Sequence, residues 1–151
     1  MVNAELAHAK TVSTNAAAVP FHVDILDASL KNDAYRHVLF TGARTQLVVM
    51  TIPPGGNIGL EAHPHVEQLL FVARGTGKAI LDGVETPMKV GSVVVATPGA
   101  RHDIVNTGNE ALHLYTVYAP ANHIDGRFHA TKEDAESDER DEAFGETVGP
   151  A

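Results

Sequence analysis

The chain has 151 residues, no cysteine and a formal net charge of −8. This length suits a single domain, and the absence of cysteine excludes disulfides, thiolate nucleophiles and thiolate metal ligands. No apolar run approaches the roughly 20 residues that span a bilayer, and no hydrophobic leader is visible, so we expect a cytoplasmic protein.

Residues 1–20 are rich in Ala, Thr and Asn, show no periodicity and end at Pro20, and we interpret them as a flexible N-terminal arm. The body that follows, residues 21–130, consists of short apolar runs separated by glycine and proline. Predicted strands cover residues 36–41, 46–52, 58–63, 68–74, 78–81, 85–89, 92–96, 103–106 and 112–119. Short strands at this spacing are typical of a barrel or sandwich rather than of a βαβ fold.

One turn between these strands has a specific signature. Asp82-Gly83 lies between two apolar runs, and a type I′ turn needs positive φ at both central residues, which this pair tolerates. We therefore predict a tight β-hairpin at this point.

The end of the chain carries most of the charge. Residues 132–146 contain eight acids and two bases, which is −6 of the total of −8. Thr131 with Asp134 three residues later resembles a helix start, so we interpret residues 131–151 as a short acidic helix with a disordered end. Because the chain has no basic stripe, we exclude nucleic acids and anionic membranes as partners.

Four polar residues in the body have the types and positions of metal ligands. Glu61 and His63 are two apart in a predicted strand and therefore point to the same side, and Pro64 favours an extended His63. Gln68 and His102 each open a later strand. If these strands pair, the four side chains converge on one divalent metal ion, and a mixed imidazole and oxygen shell suits Zn, Mn, Fe, Ni or Cu.

The spacing of these residues resembles the two motifs of the cupin superfamily. The first cupin motif reads Gly, five residues, His-X-His, three or four residues, Glu, six residues, Gly, and here its positions hold Gly55, Glu61, His63, Gln68 and Gly75. The second reads Gly, five residues, Pro-X-Gly, two residues, His, three residues, Asn, and here its positions hold Gly91, Thr97-Pro98-Gly99, His102 and Asn106. Two residue types in the first motif differ from the usual ones, and the proline of the second lies one place late.

Two alternatives compete with this interpretation. Reading His63-Pro64-His65 as the His-X-His pair places Asn57 at the glycine position and a leucine at the carboxylate position, so the pattern fails on both sides. The other alternative makes Glu61 and Gln68 structural residues of a metal-free barrel, although buried polar groups that converge without a partner are costly.

The resemblance is to small single-domain bacterial cupins described as mannose-6-phosphate isomerase-like, and it covers roughly residues 36–136. It implies an all-β cupin double-stranded β-helix, or jelly-roll barrel, with a short C-terminal helix. It also implies a metal-dependent enzyme that acts on a small oxygenated substrate, sugar-like or an oxo acid, by isomerase or lyase chemistry. The alternatives are a metal-dependent dioxygenase and a barrel that binds a small molecule or a metal without turnover.

Three residues near the ligands are candidates for moving a proton during catalysis, namely Glu67, His65 and Tyr115. The alternative for Glu67 and His65 is a position in an exposed turn. Tyr115 and Tyr118 lie on opposite faces of the last strand, so at most one of them lines the cavity.

Further expectations concern charge, exposure and assembly. Three residues are candidate contacts for a substrate anion, namely Tyr35, Arg44 and Arg74. Four histidines are expected at the surface, namely His8, His22, His123 and His129. We also expect a homodimer, in which the strand near residues 35–41 pairs through its edge or is exchanged.

Overall fold

A computed structural model describes residues 19–150 of the chain. The predicted N-terminal arm lies outside the described residues except for Val19 and Pro20. Helix α1 (Ile25–Lys31) begins at Asp24, whose side chain accepts a hydrogen bond from the amide of Asp27 at 3.0 Å. This is the usual way in which an acidic N-cap satisfies a free amide of the first turn.

Most of the described chain is β-structure. The strands are β1 (Arg36–Thr41), β2 (Gln46–Ile52), β3 (Glu67–Arg74), β4 (Gly77–Leu81), β5 (Val84–Met88), β6 (Val93–Ala96), β7 (His102–Asn106), β8 (Leu112–Ala119) and β9 (Phe128–His129). They form a six-stranded sheet in the order β6-β3-β8-β2-β1-β9 and a three-stranded sheet in the order β5-β4-β7. The strand pairs are antiparallel. This arrangement of two antiparallel sheets confirms the predicted all-β jelly-roll architecture.

The hydrophobic core lies between the two sheets. In β2 and β8 every second side chain points inward, and those of Met50, Ile52 and Leu114 are fully buried. Burial of each such side chain contributes about 2 kcal/mol. On the same face of β8, Thr116 and Tyr118 follow the leucines, so the interior becomes polar at one end. This polar end is where the candidate site forms.

The hairpin prediction is confirmed. Asp82 has φ 47° and Gly83 has φ 84°, and they connect β4 to β5 directly. Glycine and residues with a short polar side chain, such as aspartate, tolerate positive φ, which explains why Asp82 and Gly83 occupy this turn.

The predicted strand at residues 58–63 is wrong as a continuous strand. Only two isolated bridges join this segment to β7, Asn57 to Val105 and Glu61 to His102. Asn57 and Glu61 are four residues apart, whereas their partners on β7 are three residues apart. The segment therefore contains one extra residue between the two bridges. Gly59 takes φ +100° there, as is common where a β-bulge interrupts pairing.

The end of the described chain differs from the prediction of one helix with a disordered end. Two helices are present, α2 (Lys132–Glu136) and α3 (Glu139–Glu146). The predicted start at Thr131 is confirmed, because its side chain and that of Asp134 form a capping box. α3 packs on the barrel, since Asp141 and Phe144 are buried. No helix in residues 19–150 combines the length and the apolar character that crossing a membrane requires.

Candidate metal centre and its cavity

Backbone pairing holds the two loops of the candidate centre together. The amide of Glu61 donates to the carbonyl of His102 at 2.9 Å, and the amide of His102 donates back at 2.8 Å. The amide of Gly99 also donates to the carbonyl of His63 at 2.8 Å. These three bonds fix the first-motif segment against the turn before β7, even though the segment forms no continuous strand.

The predicted ligand side chains converge on one point. Nε2 of His63 lies 3.4 Å from Oε2 of Glu61, and Nε2 of His102 lies 3.9 Å from the same oxygen. Ligand atoms of these three residues all lie within 4.8 Å of one another. Oε1 of Gln68 lies 3.1 Å from Nε2 of His102, so the structure brings all four predicted ligands together.

These separations suit a single bound ion. Two donors that are each ~2.1 Å from a metal lie about 3.0 Å apart at a right angle and at most ~4.2 Å apart. The three measured pairs, at 3.1, 3.4 and 3.9 Å, fall within that range.

The orientation of the donors also fits a cation. Nδ1 of His102 lies 3.0 Å from the carbonyl of Ala100, which holds the proton on Nδ1 and leaves the Nε2 lone pair facing the centre. The amide nitrogen of Gln68 donates to Oγ1 of Thr116 at 3.1 Å, so its oxygen also faces the centre. Two acceptors then oppose each other, and a cation between them satisfies both.

His63 provides an independent observation. Its Nε2 is buried and has no hydrogen-bond partner within the described residues, although the Glu61 carboxylate is near. Buried polar atoms normally find a partner. A buried imidazole nitrogen without one, 3.4 Å from a carboxylate oxygen and close to a second imidazole, is an atom that a bound metal ion would satisfy.

The carboxyl group of Glu61 is held in its ionised form. Burial would raise its pKa, but the contact with His63 and the positive charge of Arg36 outweigh burial and lower the pKa below its usual value. The candidate shell therefore offers one negative charge with three neutral donors, so a divalent ion retains a net charge of about +1.

A cavity of about 500 Å³ opens beside the centre. Its inner wall includes Tyr35, Arg36, His63 and His123, and residues 135–148 of the C-terminal helical segment form another side. Burial raises the pKa of Tyr35 to about 12, so its hydroxyl stays protonated and lies 3.4 Å from the carbonyl of Ile58. The volume is suitable for a small organic molecule.

The structure brings only one of the three predicted proton-moving residues to this cavity. His65 is exposed at its rim. Glu67 alternates with inward-facing Gln68 and so lies on the outer face of β3. Tyr115 also lies on an outer face, where its ring stacks on Phe71 at 4.7 Å. We therefore withdraw Glu67 and Tyr115 as site residues, because strand alternation turns both away from the cavity.

Tyr118 takes the interior position of β8. Its side chain is buried, and its ring lies edge-on to His63 at 6.2 Å and to His123 at 4.9 Å. The sequence predicted that one of the two tyrosines faces inward, and the register of β8 selects the second.

The predicted anion contacts are corrected in part. Tyr35 lines the cavity, but Arg74 lies at the surface, 3.4 Å from Glu110, and Arg44 is exposed. The arginine that lines the cavity is Arg36, which the sequence analysis did not select. Strand alternation could have identified Arg36, because it lies two residues before Val38 on β1 and both side chains face inward.

The surface prediction holds for His22, which is exposed, and is wrong for His123 and His129, which are 6% and 3% exposed. His8 lies outside the described residues. Nδ1 of His123 lies 2.7 Å from Oδ2 of Asp141. Asp141 comes from α3, 18 residues later, and no local pattern indicated this pair.

A second cluster of acids and histidine, His129 with Asp138 and Asp141, also has metal-like spacing. Both oxygens of Asp138 already accept hydrogen bonds from Arg127, at 2.9 and 3.3 Å. His129 lies 2.9 Å from the same carboxylate. This cluster therefore fastens α3 to the barrel, and its carboxylate is occupied without an ion.

The comparisons with known proteins define the family. Residues 48–118 match the family model described as a cupin domain. The uncharacterized protein YrkC of Bacillus subtilis (strain 168) is 39% identical over 122 residues, which is 77% of this chain and 66% of YrkC. This chain thus matches slightly less than two thirds of that relative. Protein L612 of Acanthamoeba polyphaga mimivirus is 35% identical over 108 residues, which is 69% of this chain and 68% of L612.

A solved structure has a similar fold. The crystal structure of BH2720 from Bacillus halodurans has a TM-score of 0.78 and 36% identity, over 80% of this chain and 96% of that one. With its two antiparallel sheets and motif spacing, this chain belongs to the cupin superfamily.

Proposed function

We propose that this cupin binds one divalent metal ion through Glu61, His63, Gln68 and His102, and that it is a metal-dependent enzyme acting on a small oxygenated substrate. The observation that carries the proposal is the buried, unpartnered Nε2 of His63 beside Glu61 and His102. The isomerase or lyase class comes from the resemblance to small cupins described as mannose-6-phosphate isomerase-like.

When bound, a divalent ion supplies Lewis-acid polarisation of a carbonyl or hydroxyl oxygen. The residues of the chain supply position and proton transfer. Thr116 orients the Gln68 amide, and the carbonyl of Ala100 orients the His102 ring. Supporting contacts of this kind keep donor atoms in place without rearrangement during a reaction.

The His123–Asp141 pair is the proton-moving group that the cavity supports best. Burial would raise the pKa of Asp141, but the hydrogen bond to His123 outweighs it, and the pKa is lowered. The ionised carboxylate accepts the Nδ1 proton of His123, which leaves Nε2 as the basic nitrogen. Burial and the charge of Arg36 lower the pKa of His123, so the imidazole is neutral at neutral pH. Its Nε2 is buried and has no hydrogen-bond partner within the described residues, and it would accept a proton from a molecule that reached it.

A second candidate function is a metal-dependent dioxygenase. The group formed by Glu61, His63 and His102 contains two imidazoles and one carboxylate. Non-haem Fe(II) oxygenases use this ligand set as a facial triad.

Metal analysis followed by a turnover screen tests these proposals. Purified protein is expected to contain about one divalent ion per chain, and EDTA is expected to abolish turnover of a sugar, uronate or 2-oxo acid. Oxygen consumption by the Fe(II)-loaded protein would favour the dioxygenase. A tightly retained ligand without turnover would contradict the enzyme and favour a binding protein, and a preparation that takes up no metal would overturn the site.

A further inference from the structure

Arg36 is a buried cation that forms no direct ion pair within residues 19–150. Its residue is 6% exposed, and within residues 19–150 its Nε has no hydrogen-bond partner and no carboxylate forms an ion pair with it. Cζ of Arg36 lies 5.3 Å from the centroid of the Tyr35 ring. Burial would lower the pKa of Arg36, but the neighbouring Tyr118, Glu61, Tyr35 and Asp141 outweigh burial and raise it, so the guanidinium stays charged although no carboxylate of the described residues contacts it directly.

The two carboxylates whose negative charge acts on Arg36, those of Glu61 and Asp141, are in contact with histidines rather than with the guanidinium. Glu61 lies against His63 and His102, and Asp141 lies against His123. Arg36 lines the same cavity as Glu61, His63, His123 and Asp141. The inner wall therefore carries a positive group whose donors remain available to a molecule that enters.

The rim of the cavity restricts the charge of that molecule. Glu136, Glu142 and Glu146 line the cavity and are exposed. Exposed carboxylates are screened, but three together repel a multiply charged anion more than a singly charged one. A planar carboxylate also matches the forked guanidinium, which can donate two parallel hydrogen bonds to it.

We propose that Arg36 binds the carboxylate of a singly charged organic acid in this cavity, so that the ligand is a small hydroxy or oxo acid. The hydroxyl or oxo oxygen of that acid is the group presented to the metal centre, and this part of the inference rests on the proposed function. The carboxylate contact itself requires only Arg36.

Glycolate is the probe, glycolamide is its neutral analogue and inorganic phosphate is the more highly charged anion. Thermal unfolding of EDTA-treated protein is followed during titration with each compound at constant ionic strength. Glycolate is expected to raise Tm in a saturable manner, whereas glycolamide and phosphate have little effect. Stabilisation by a ligand of the native state follows directly from its affinity.

Two variants assign the effect to the side chain. Arg36→Gln is expected to abolish the glycolate effect. Arg36→Lys keeps the charge but loses the fork, and it is expected to weaken glycolate binding about tenfold or more. Arg74→Lys, at the surface, is the matched control and is expected to bind like the unaltered protein. If Arg36→Gln does not fold, Arg36→Lys alone decides the assignment.

The inference is overturned if glycolamide stabilises as well as glycolate, if phosphate stabilises more than glycolate, or if Arg36→Lys binds glycolate normally. These outcomes are distinct from failure of the metal centre. A protein that takes up no metal but binds glycolate through Arg36 would refute the proposed function and retain the carboxylate site.

Discussion

His63 and His65 are two residues apart and chemically identical, yet their surroundings differ. His63 has a buried nitrogen that faces Glu61, whereas His65 is exposed at the cavity rim. The bond from Gly99 to the carbonyl of His63 and the pairing of Glu61 with His102 create this difference. Position relative to β7 therefore separates the two histidines.

This difference predicts the response of metal binding to substitution. His63→Ala and His102→Ala are each expected to lower metal affinity by more than the ~10–100-fold typical of residues that only support a ligand. His65→Ala is the matched control and should leave metal content unchanged. Metal content by mass spectrometry after dialysis measures both, and loss of metal in His65→Ala alone would show that the alternative register is correct.

Thr116 acts on the centre through Gln68. Because Oγ1 of Thr116 accepts from the Gln68 amide nitrogen, Thr116→Val removes the contact that points the amide oxygen inward. We expect metal affinity to fall about tenfold. Thr86→Val makes the same change at an exposed position of β5 and should have no effect. Competition with a chelator measures the affinity, and equal values for the two variants would contradict a positioning role.

For individual residues, the sequence predicted those site residues whose positions are fixed by the spacing of the two motifs. Glu61, His63, Gln68 and His102 followed from motif positions, and their convergence is present. His123 was missed because its partner, Asp141, lies 18 residues later in the chain. Arg36 was missed because its role depends on the absence of a direct ion pair among the described residues, which a sequence does not show. Tyr115 and Glu67 were misplaced because nearness in sequence to a ligand does not determine which face of a strand a residue occupies.

Among the secondary structure elements, α3 depends most on a single side chain. Asp138 caps the helix by accepting from the amide of Asp141 at 3.1 Å. The same carboxylate holds Arg127 and His129 of the barrel. One residue thus begins the helix and attaches it.

Asp138→Asn separates these two tasks, since asparagine is an equally good N-cap. Loss of the charged contacts is expected to destabilise the protein by about 1–3 kcal/mol. Glu139→Gln removes the same charge at the next, exposed position and should be nearly neutral. Urea unfolding of the two variants measures the difference, and equal midpoints would show that the Asp138 contacts contribute no stability.

The stability of the protein should fall in acid because of the same segment. Burial would raise the pKa of Asp138, but hydrogen bonds from His129, the Asp141 amide and Arg127 outweigh it and lower the pKa to about 2. A carboxyl whose folded pKa is lowered stabilises the fold above its unfolded value of 3.8, and this contribution is lost as pH falls towards 2. It amounts to about 1–2 kcal/mol after solvent screening.

His123 adds a loss of stability that begins at higher pH. Its pKa is lowered on folding, so below pH 6.5 the unfolded chain takes up a proton before the folded chain does, and stability decreases. Urea unfolding at pH 7, 5 and 3 should give a stepwise decline, and the lower step should be smaller in Asp138→Asn. A flat profile between pH 7 and 3 would refute both contributions.

For the whole molecule, the homodimer stays a prediction, but its proposed edge is partly occupied. β9 pairs with Arg36 and His37 of β1, and the amide of Val38 donates to the carbonyl of Arg127. Pairing through the whole of β1 is therefore blocked. β6 lies at one edge of the large sheet, where it pairs with β3, and β5 lies at an edge of the small sheet. Either strand is an edge through which an edge-to-edge dimer could form.

Light scattering after size-exclusion chromatography tests the assembly. The chain mass is 16.0 kDa, and we expect twice that value. An observed mass of one chain over a wide range of protein concentration would contradict the dimer. Val95→Lys places a charge on exposed β6 and should favour the monomer if β6 forms the contact.

The architecture was predictable to the level of sheet type and strand positions, because alternation and turn residues are local signals. The interruption at residues 58–63 was not predictable, since it arises from an extra residue at Gly59 opposite β7. The acidic segment was interpreted as solvated because its composition is charged. Its buried members, Asp141 and Phe144, are too few to change a compositional pattern, yet they decide where the helix lies.

The metal ligands and one wall of the cavity come from different segments of the chain, so metal binding and ligand selectivity can be altered independently. The donor atoms come from residues 61–102, whereas one side of the space beside them is built from residues 135–148. Directed changes at exposed Glu142 and Glu146 can alter which molecules are admitted while leaving the metal ligands intact. The C-terminal segment is therefore the place to begin redesigning selectivity in this barrel.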